Sequence, residues 1–380
     1  MRVLLFIGIV GIIVSGAAQA ATLTVRRDGS GQFTTIQPAV DSAARGDTID
    51  VGPGEYVEYQ TIRPPYWSWD IDIYVYITVD DLTIMGAGVD QTYIGPTEPD
   101  IDYSHFSPTN VWAGNLNRLS MRDLTIRNSY GGIYSPNVQT TVRSCTLAMN
   151  SIGIMVYSNS VVVENCEFEG IGSMPVGVLH TSDCSSSSVL NNQFRDCRLY
   201  FDGVEDFQVA DCSFEGGSSA IAVYYGSSGS VARSTIVDPT RTGIGLKSSL
   251  CALSSIEIAG GEVGIRIEGG QLEAESVVIR GTTIAALDIS APEVLEIHGS
   301  DLLPSSGFAV ECYEWVIPPS RIYDLTGNYW GVADSTAIAA LIWDGHDSAQ
   351  IDDFIDFVPF EGESTPTEGA TWGAVKTLFR

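Results

Sequence analysis

One apolar position returns along this chain at a nearly constant interval. It is filled by Ile126, Leu147, Phe168, Phe194, Phe214, Ile236, Ile258 and Ile279, in steps of 21, 21, 26, 20, 22, 22 and 21 residues. A second column runs Ile133, Ile154, Val178, Ile221, Ile244, Ile265 and Leu287. Each unit holds two or three short stretches of alternating apolar and polar residues, separated by Gly, Ser, Asn or Asp. Alternation specifies strands with one buried face. A unit this short cannot bury its apolar face alone, so successive units must stack. Leucine-rich repeats would carry a Leu/Asn signature and propeller blades need longer units. The repeat therefore predicts an all-β chain wound as a single-stranded parallel β-helix. About eleven coils at a strand spacing of ~4.8 Å would give a rod of roughly 50 Å.

The position two residues before the first column reads Leu124, Cys145, Cys166, Asn192, Cys212, Ser234, Ile256 and Val277. By alternation it shares the inward face. Cys145, Cys166 and Cys212 are then small buried hydrophobes, and Asn192 is a buried amide that needs backbone partners. The seven cysteines are an odd number without a CxxC pair, and the four histidines are far apart. No zinc-type spacing exists.

Residues 28 to 58 read "DGSGQFTTIQPAVDSAARGDTIDVGPGEYVE". Ile36, Ala39, Val40 and Ala43 follow helical spacing, Thr34 or Thr35 can cap the helix, and Gly46 can stop the turn. The stretch resembles the opening of the pectin lyase-like, right-handed parallel β-helix proteins, pectinesterases in particular. The resemblance implies a right-handed solenoid closed in front by an N-terminal helical cap. The pectinesterase chemistry does not follow with it. Their Gln-Ala-Val-Ala-Leu-Arg and Leu-Gly-Arg-Pro-Trp stretches have no counterpart, and Asp206-Phe207 in "GVEDFQVAD" sits inside the repeat grammar. The motifs of polygalacturonases are not found either, Asp80-Asp81 being a lone pair in a turn. No Ca²⁺-and-arginine triad of the pectate lyase kind can be placed. At the other end, "GNYWGVADSTAIAALIWDGHDSAQIDDFIDFVPF" resembles the closing segment of secreted right-handed β-helix repeat proteins. It predicts Trp330 as a lid on the core and a short helix over Ser335 to Trp343.

The flanks have a different character. "MRVLLFIGIVGIIVSGAAQA" has a basic start, an apolar run too short to span a bilayer, and a small-x-small end, the pattern of a secretory signal peptide cut after Ala20. The expected organisation is a signal peptide over 1–20, the β-helix over 21–360, and a linker and tail over 361–380. The tail, "TWGAVKTLFR", is an aromatic-basic turn that reads equally as a peptide docking on a surface or sorting component and as a frayed end. A secreted, extracellular or cell-surface location follows, the periplasm included, with no membrane span. The formal charge of −28, with two lysines in the chain, disfavours nucleic acid and repels polyanions. A neutral extracellular polysaccharide or cell-surface glycan, or a polyanion bridged by Ca²⁺, is the easier partner, and the alternative reading is acidity for solubility alone.

Between Tyr56 and Trp112 the repeat is interrupted by two swollen spacers rich in aromatics and carboxylates. Aromatic faces stack on sugars, and carboxylates accept hydroxyls or hold Ca²⁺; long loops on a rigid scaffold often carry function. The candidate carbohydrate-binding residues are Trp67, Trp69, Asp70, Asp72, Tyr93, Tyr103 and Trp112. Glu98, Asp100 and Asp102 are a candidate Ca²⁺ site, and no other cofactor is expected. The competing reading is that these aromatics bury one another against the solenoid. The expected function is a secreted carbohydrate-binding or cell-surface protein without recognisable catalytic residues. The alternatives are a polysaccharide lyase or glycoside hydrolase using these loops, and a structural adhesin element. Carboxylates over a groove would favour the enzyme, and an aromatic strip without them would favour binding.

Overall fold

Three corners per coil set the shape, and each has its own chemistry. In the coil after Arg118, Asp123, Asn128 and Asn137 all take a positive φ, of 59°, 61° and 58°. The first corner recurs with positive φ at Ser144, Asn165, Asn191, Asp211, Arg233, Ser255, Ser276, Gly299 and Gly327. Gly, Asn and Asp tolerate this left-handed backbone best, which is why they punctuate the sequence. Between the corners run short strands that pair in parallel with the coils before and after. The computed structural model describes residues 20–64, 67–100, 107–157, 159–170, 180–182, 184–313, 321–348 and 350–362. They form about twelve coils of a parallel β-helix.

Each coil contributes one strand to each of three faces. Arg118–Arg122, Thr125–Arg127 and Gly131–Pro136 are one such set. The first column stacks in register, Ile126 on Leu147, Leu147 on Phe168, then Phe194, Phe214, Ile236, Ile258 and Ile279. All are buried in one continuous core. Inside it the rings of Phe168, Phe194 and Phe214 stack at centroid distances of 4.9 and 4.6 Å. In the second column, Ile133 stacks on Ile154, and Ile221, Ile244, Ile265 and Leu287 follow one another; Val178 lies outside the described residues.

The polar members of the inward column are satisfied. Asn192 Nδ2 donates to the Val163 carbonyl at 2.9 Å, and its Oδ1 accepts the Cys166 N–H at 2.8 Å. Ser234 accepts from Cys212 N–H and Asn328 from Ser300 N–H in the same way. All seven cysteines are buried. Burial pushes the Cys212 thiol up to about 11 and the Cys251 thiol up to about 12, so they stay protonated and apolar.

The front is plugged by a helix over Ile36–Ser42, with Ile36, Ala39 and Val40 buried. Thr35 holds the cap position but makes no side-chain cap bond; the helix is held by packing. At the back Trp330 is buried and meets Phe357 edge-on, as a lid should. The closing helix is shorter than its sequence suggests, Ser335–Ala339, capped by Asp334. Ile342 and Trp343 instead pair with Val310 and Glu311, because open strand edges at the end of the core gain more from a ladder than from another helical turn. No helix of the described residues is long and apolar enough to cross a membrane. The proposed signal segment and the terminal tail lie outside the described residues, apart from Ala20, Glu361 and Gly362.

Candidate functional site: an aromatic hollow on the third face

Both swollen spacers leave the solenoid at the same corner, the one between the second and third faces. Residues 57–70 follow the strand Gly54–Tyr56, and residues 95–108 follow Thr92–Ile94. Both rejoin on the third face, at Ile71–Ile77 and Thr109–Ala113. Most of the extra length of the 26-residue step also falls at this corner, between Gly170 and His180. Lengthening a turn at this corner leaves the three ladders in register.

The first spacer folds back as a hairpin, Gln60–Ile62 pairing antiparallel with Ile71–Ile73. Asp70 and Asp72 are its latches. Asp70 pairs with Arg63 at 3.0 Å, and Asp72 accepts from Thr61 Oγ1 at 2.6 Å, directly across the strands. The Asp72 N–H donates to Ser107 Oγ, tying the second spacer to the first. The hairpin's far end lays Trp67 and Trp69 over the third face.

There they meet an outward ladder that the solenoid itself supplies. Tyr76, Trp112, Tyr134 and Met155 occupy one register position in successive coils, and Pro136 and Tyr157 a second. The Trp67 ring lies 5.3 Å from Trp69, 5.1 Å from Trp112 and 5.9 Å from Tyr134, all edge-on. Trp112 and Tyr134 lie 4.2 Å apart. Ile71, Ile73 and Trp112 form the buried base of a small second core, with Trp67, Trp69 and Tyr134 half-buried above it. Packing and exposure therefore coexist in one group: Trp112 is structural, and Trp67 and Trp69 keep accessible surface.

Between them is a hollow of about 310 Å³ reaching to Tyr130, Ile152, Met155 and Tyr157. None of its lining residues is charged. Burial pushes the Tyr134 phenol up to about 12 and raises that of Tyr157, so both remain neutral hydroxyls at physiological pH. Tyr157 Oη donates to Met155 Sδ at 3.1 Å. Among the described residues the hollow offers ring faces and neutral hydroxyls, and no carboxylate lines it.

Of the candidates read from the sequence, Trp67, Trp69 and Trp112 converge here. Asp70 and Asp72 stand outside the lining, committed to the hairpin. Tyr93 is on a different face, under the Arg127 guanidinium at 4.4 Å and in register with Thr125. Tyr103 and Asp102 lie outside the described residues. Glu98 and Asp100 are exposed, and the Asp100 N–H donates to the Asn128 carbonyl. Among the described residues no three His, Cys, Asp or Glu side chains converge as for a metal ion. Sequence reasoning passed over Tyr134, Met155 and Tyr157. The signal was present: Tyr134 and Met155 each follow an inward residue of the second column, so alternation turns them outward.

The fold and site define a right-handed parallel β-helix with an aromatic lateral hollow. The family described as "right handed beta helix region" matches residues 78–204. No curated protein matches the sequence. Among solved structures the chain is similar to the catalytic domain of a GH87 α-1,3-glucanase in complex with nigerose (12% identity, 70% of this chain and 61% of that one, TM-score 0.44). It is also similar to the A-module of the Azotobacter vinelandii mannuronan C-5 epimerase (12% identity, 85% and 91% covered, TM-score 0.41). A third is the Yersinia enterocolitica family 28 exopolygalacturonase (12% identity, 92% and 77% covered, TM-score 0.35). The chain thus spans about three fifths of the glucanase domain.

Proposed function

We propose that this protein is a carbohydrate-binding β-helix, exported to the cell exterior or surface, that holds a neutral glycan on its third face. The observation that carries this reading is the hollow under Trp67 and Trp69, lined among the described residues by rings and neutral hydroxyls with no charged side chain. Sugars present C–H faces that stack on such rings, and the phenols and backbone serve the hydroxyls. An enzyme reading needs carboxylates over the groove, and the two nearest in sequence, Asp70 and Asp72, are engaged within the hairpin.

The test is binding of neutral oligosaccharides by calorimetry to the native protein and to Trp67→Ala/Trp69→Ala. By analogy with base–aromatic stacking, the double variant should lose about 1–3 kcal/mol of affinity. Its melting temperature should change little, because the main core does not include these rings. A large drop in melting temperature with unchanged affinity would assign the rings to packing and end the binding reading.

A further inference from the structure

The third face does not stop at the aromatic hollow. Its two outward ladders continue along the rod, and their chemistry changes. The first reads Ala222, Gly245, Arg266, Asp288 and Glu311; the second reads Tyr224, Lys247, Glu268 and Ser290. Here a second hollow, of about 570 Å³, is lined by Lys247, Arg266, Glu268, Asp288, Ser290 and Tyr313.

Three features make it a built site. Arg266 Nε donates to Asp288 Oδ2 at 2.8 Å, and the Asp288 side chain is only 3% exposed against 29% for Arg266. The guanidinium is thus anchored from beneath by a buried carboxylate. Its two terminal nitrogens have no hydrogen-bond partner among the described residues, and they remain free to donate outward. Lys247 and Glu268, 2.9 Å apart, add a donor and an acceptor at the rim, and Tyr313 exposes half of its surface at the far wall. Lastly, Gly245 precedes Arg266 in the ladder for no reason of its own backbone. Its φ is not left-handed, and a Cβ added there would meet nothing within 4 Å. A strand glycine that neither conformation nor packing requires leaves room for something from outside.

We propose that this hollow is a second glycan subsite, taking a neutral sugar unit of the same chain that lies on the aromatic hollow. The inference rests on the glycan-binding reading above. Arg266 and Lys247 donate to ring hydroxyls, Glu268 accepts from them, and Tyr313 covers a C–H face. Neutrality follows from the charges: two cations face three carboxylates, Glu268, Asp288 and Glu311, within a chain of net charge −28. A polyanion would meet net repulsion. From Tyr134 to Arg266 the ladder advances six coils, and at ~4.8 Å per coil the two subsites are about 29 Å apart.

The experiment titrates size-graded malto-, cello- and xylo-oligosaccharides, with oligogalacturonates as the anionic arm. Affinity of a neutral series should step up at least ~10-fold once its length spans both subsites, because the second contact becomes intramolecular. Arg266→Ala and, independently, Gly245→Leu should remove that step and leave di- and trisaccharide binding unchanged. Trp67→Ala/Trp69→Ala should weaken short and long ligands alike. Short ligands that bind without any length step, or a step surviving both Arg266→Ala and Gly245→Leu, overturns the second subsite and leaves the first standing. A step confined to oligogalacturonates overturns the neutral assignment. No binding of any series overturns both readings.

Discussion

The two halves of the third face share a backbone and a register, yet they are built from opposite materials. From Tyr76 to Tyr157 the outward ladders are aromatic, and a hairpin folds over them to make a second small core. From Lys247 to Tyr313 no hairpin of the described residues covers the ladders, and their side chains are held by ion pairs. The parallel ladder imposes neither choice. It fixes only that a residue stands above its counterpart one coil away, so like residues accumulate into strips and opposite charges into crossed pairs. The contrast shows that inward positions specify the solenoid while outward positions are free to differ from coil to coil.

The largest test of the contrast is Trp112→Ala. If the aromatic half is packed like a core, removing this buried ring should cost about 3–5 kcal/mol in denaturant unfolding. A cost near that of an ordinary surface substitution would mean that the hairpin rests on the solenoid without packing. Next comes a pair of glycines. A Cβ on Gly132 would sit 2.3 Å from the Gly153 carbonyl oxygen, whereas one on Gly245 meets nothing. Gly132→Ala should destabilise by about 1–3 kcal/mol through overpacking. Gly245→Ala should be neutral or stabilising by up to roughly 1 kcal/mol, through the lost freedom of glycine in the unfolded chain. Equal costs at the two positions would mean that the open space beside Gly245 is not available to a side chain.

The smallest effect is one of pH. Burial, before any other influence, raises the Asp288 carboxyl above its ordinary range despite Arg266, and burial together with Asp288 raises Glu311. A raised carboxyl binds its proton more tightly folded than unfolded. Stability should therefore decline as pH rises from the ordinary carboxylate range through the raised one, and level off above it. Asp288→Asn should flatten that part of the profile of urea midpoints, and Trp67→Ala/Trp69→Ala should leave it unchanged. A slope that survives Asp288→Asn would place its origin elsewhere.

The interval of 20 to 26 residues, the alternation around it and the Asn, Asp, Ser and Gly corners already specify a stacked parallel coil. They are local properties: a strand's inward set follows from its period of two, and a left-handed corner selects its residues by sterics. The core columns were legible for that reason, down to the stacked phenylalanines and the backbone partners of Asn192. What the sequence could not supply was the destination of the irregular residues. Asp70 and Asp72 read as ligand groups beside tryptophans, and pairing across the hairpin made them latches for Arg63 and Thr61. Tyr93 read as a member of the same candidate set as Trp112, and the corner at Gly95 and Pro96 put them on different faces. Arg266, Asp288 and Tyr313, each about a coil apart along the chain, are brought within one hollow only because parallel stacking turns a separation of some 22 residues into a single strand spacing.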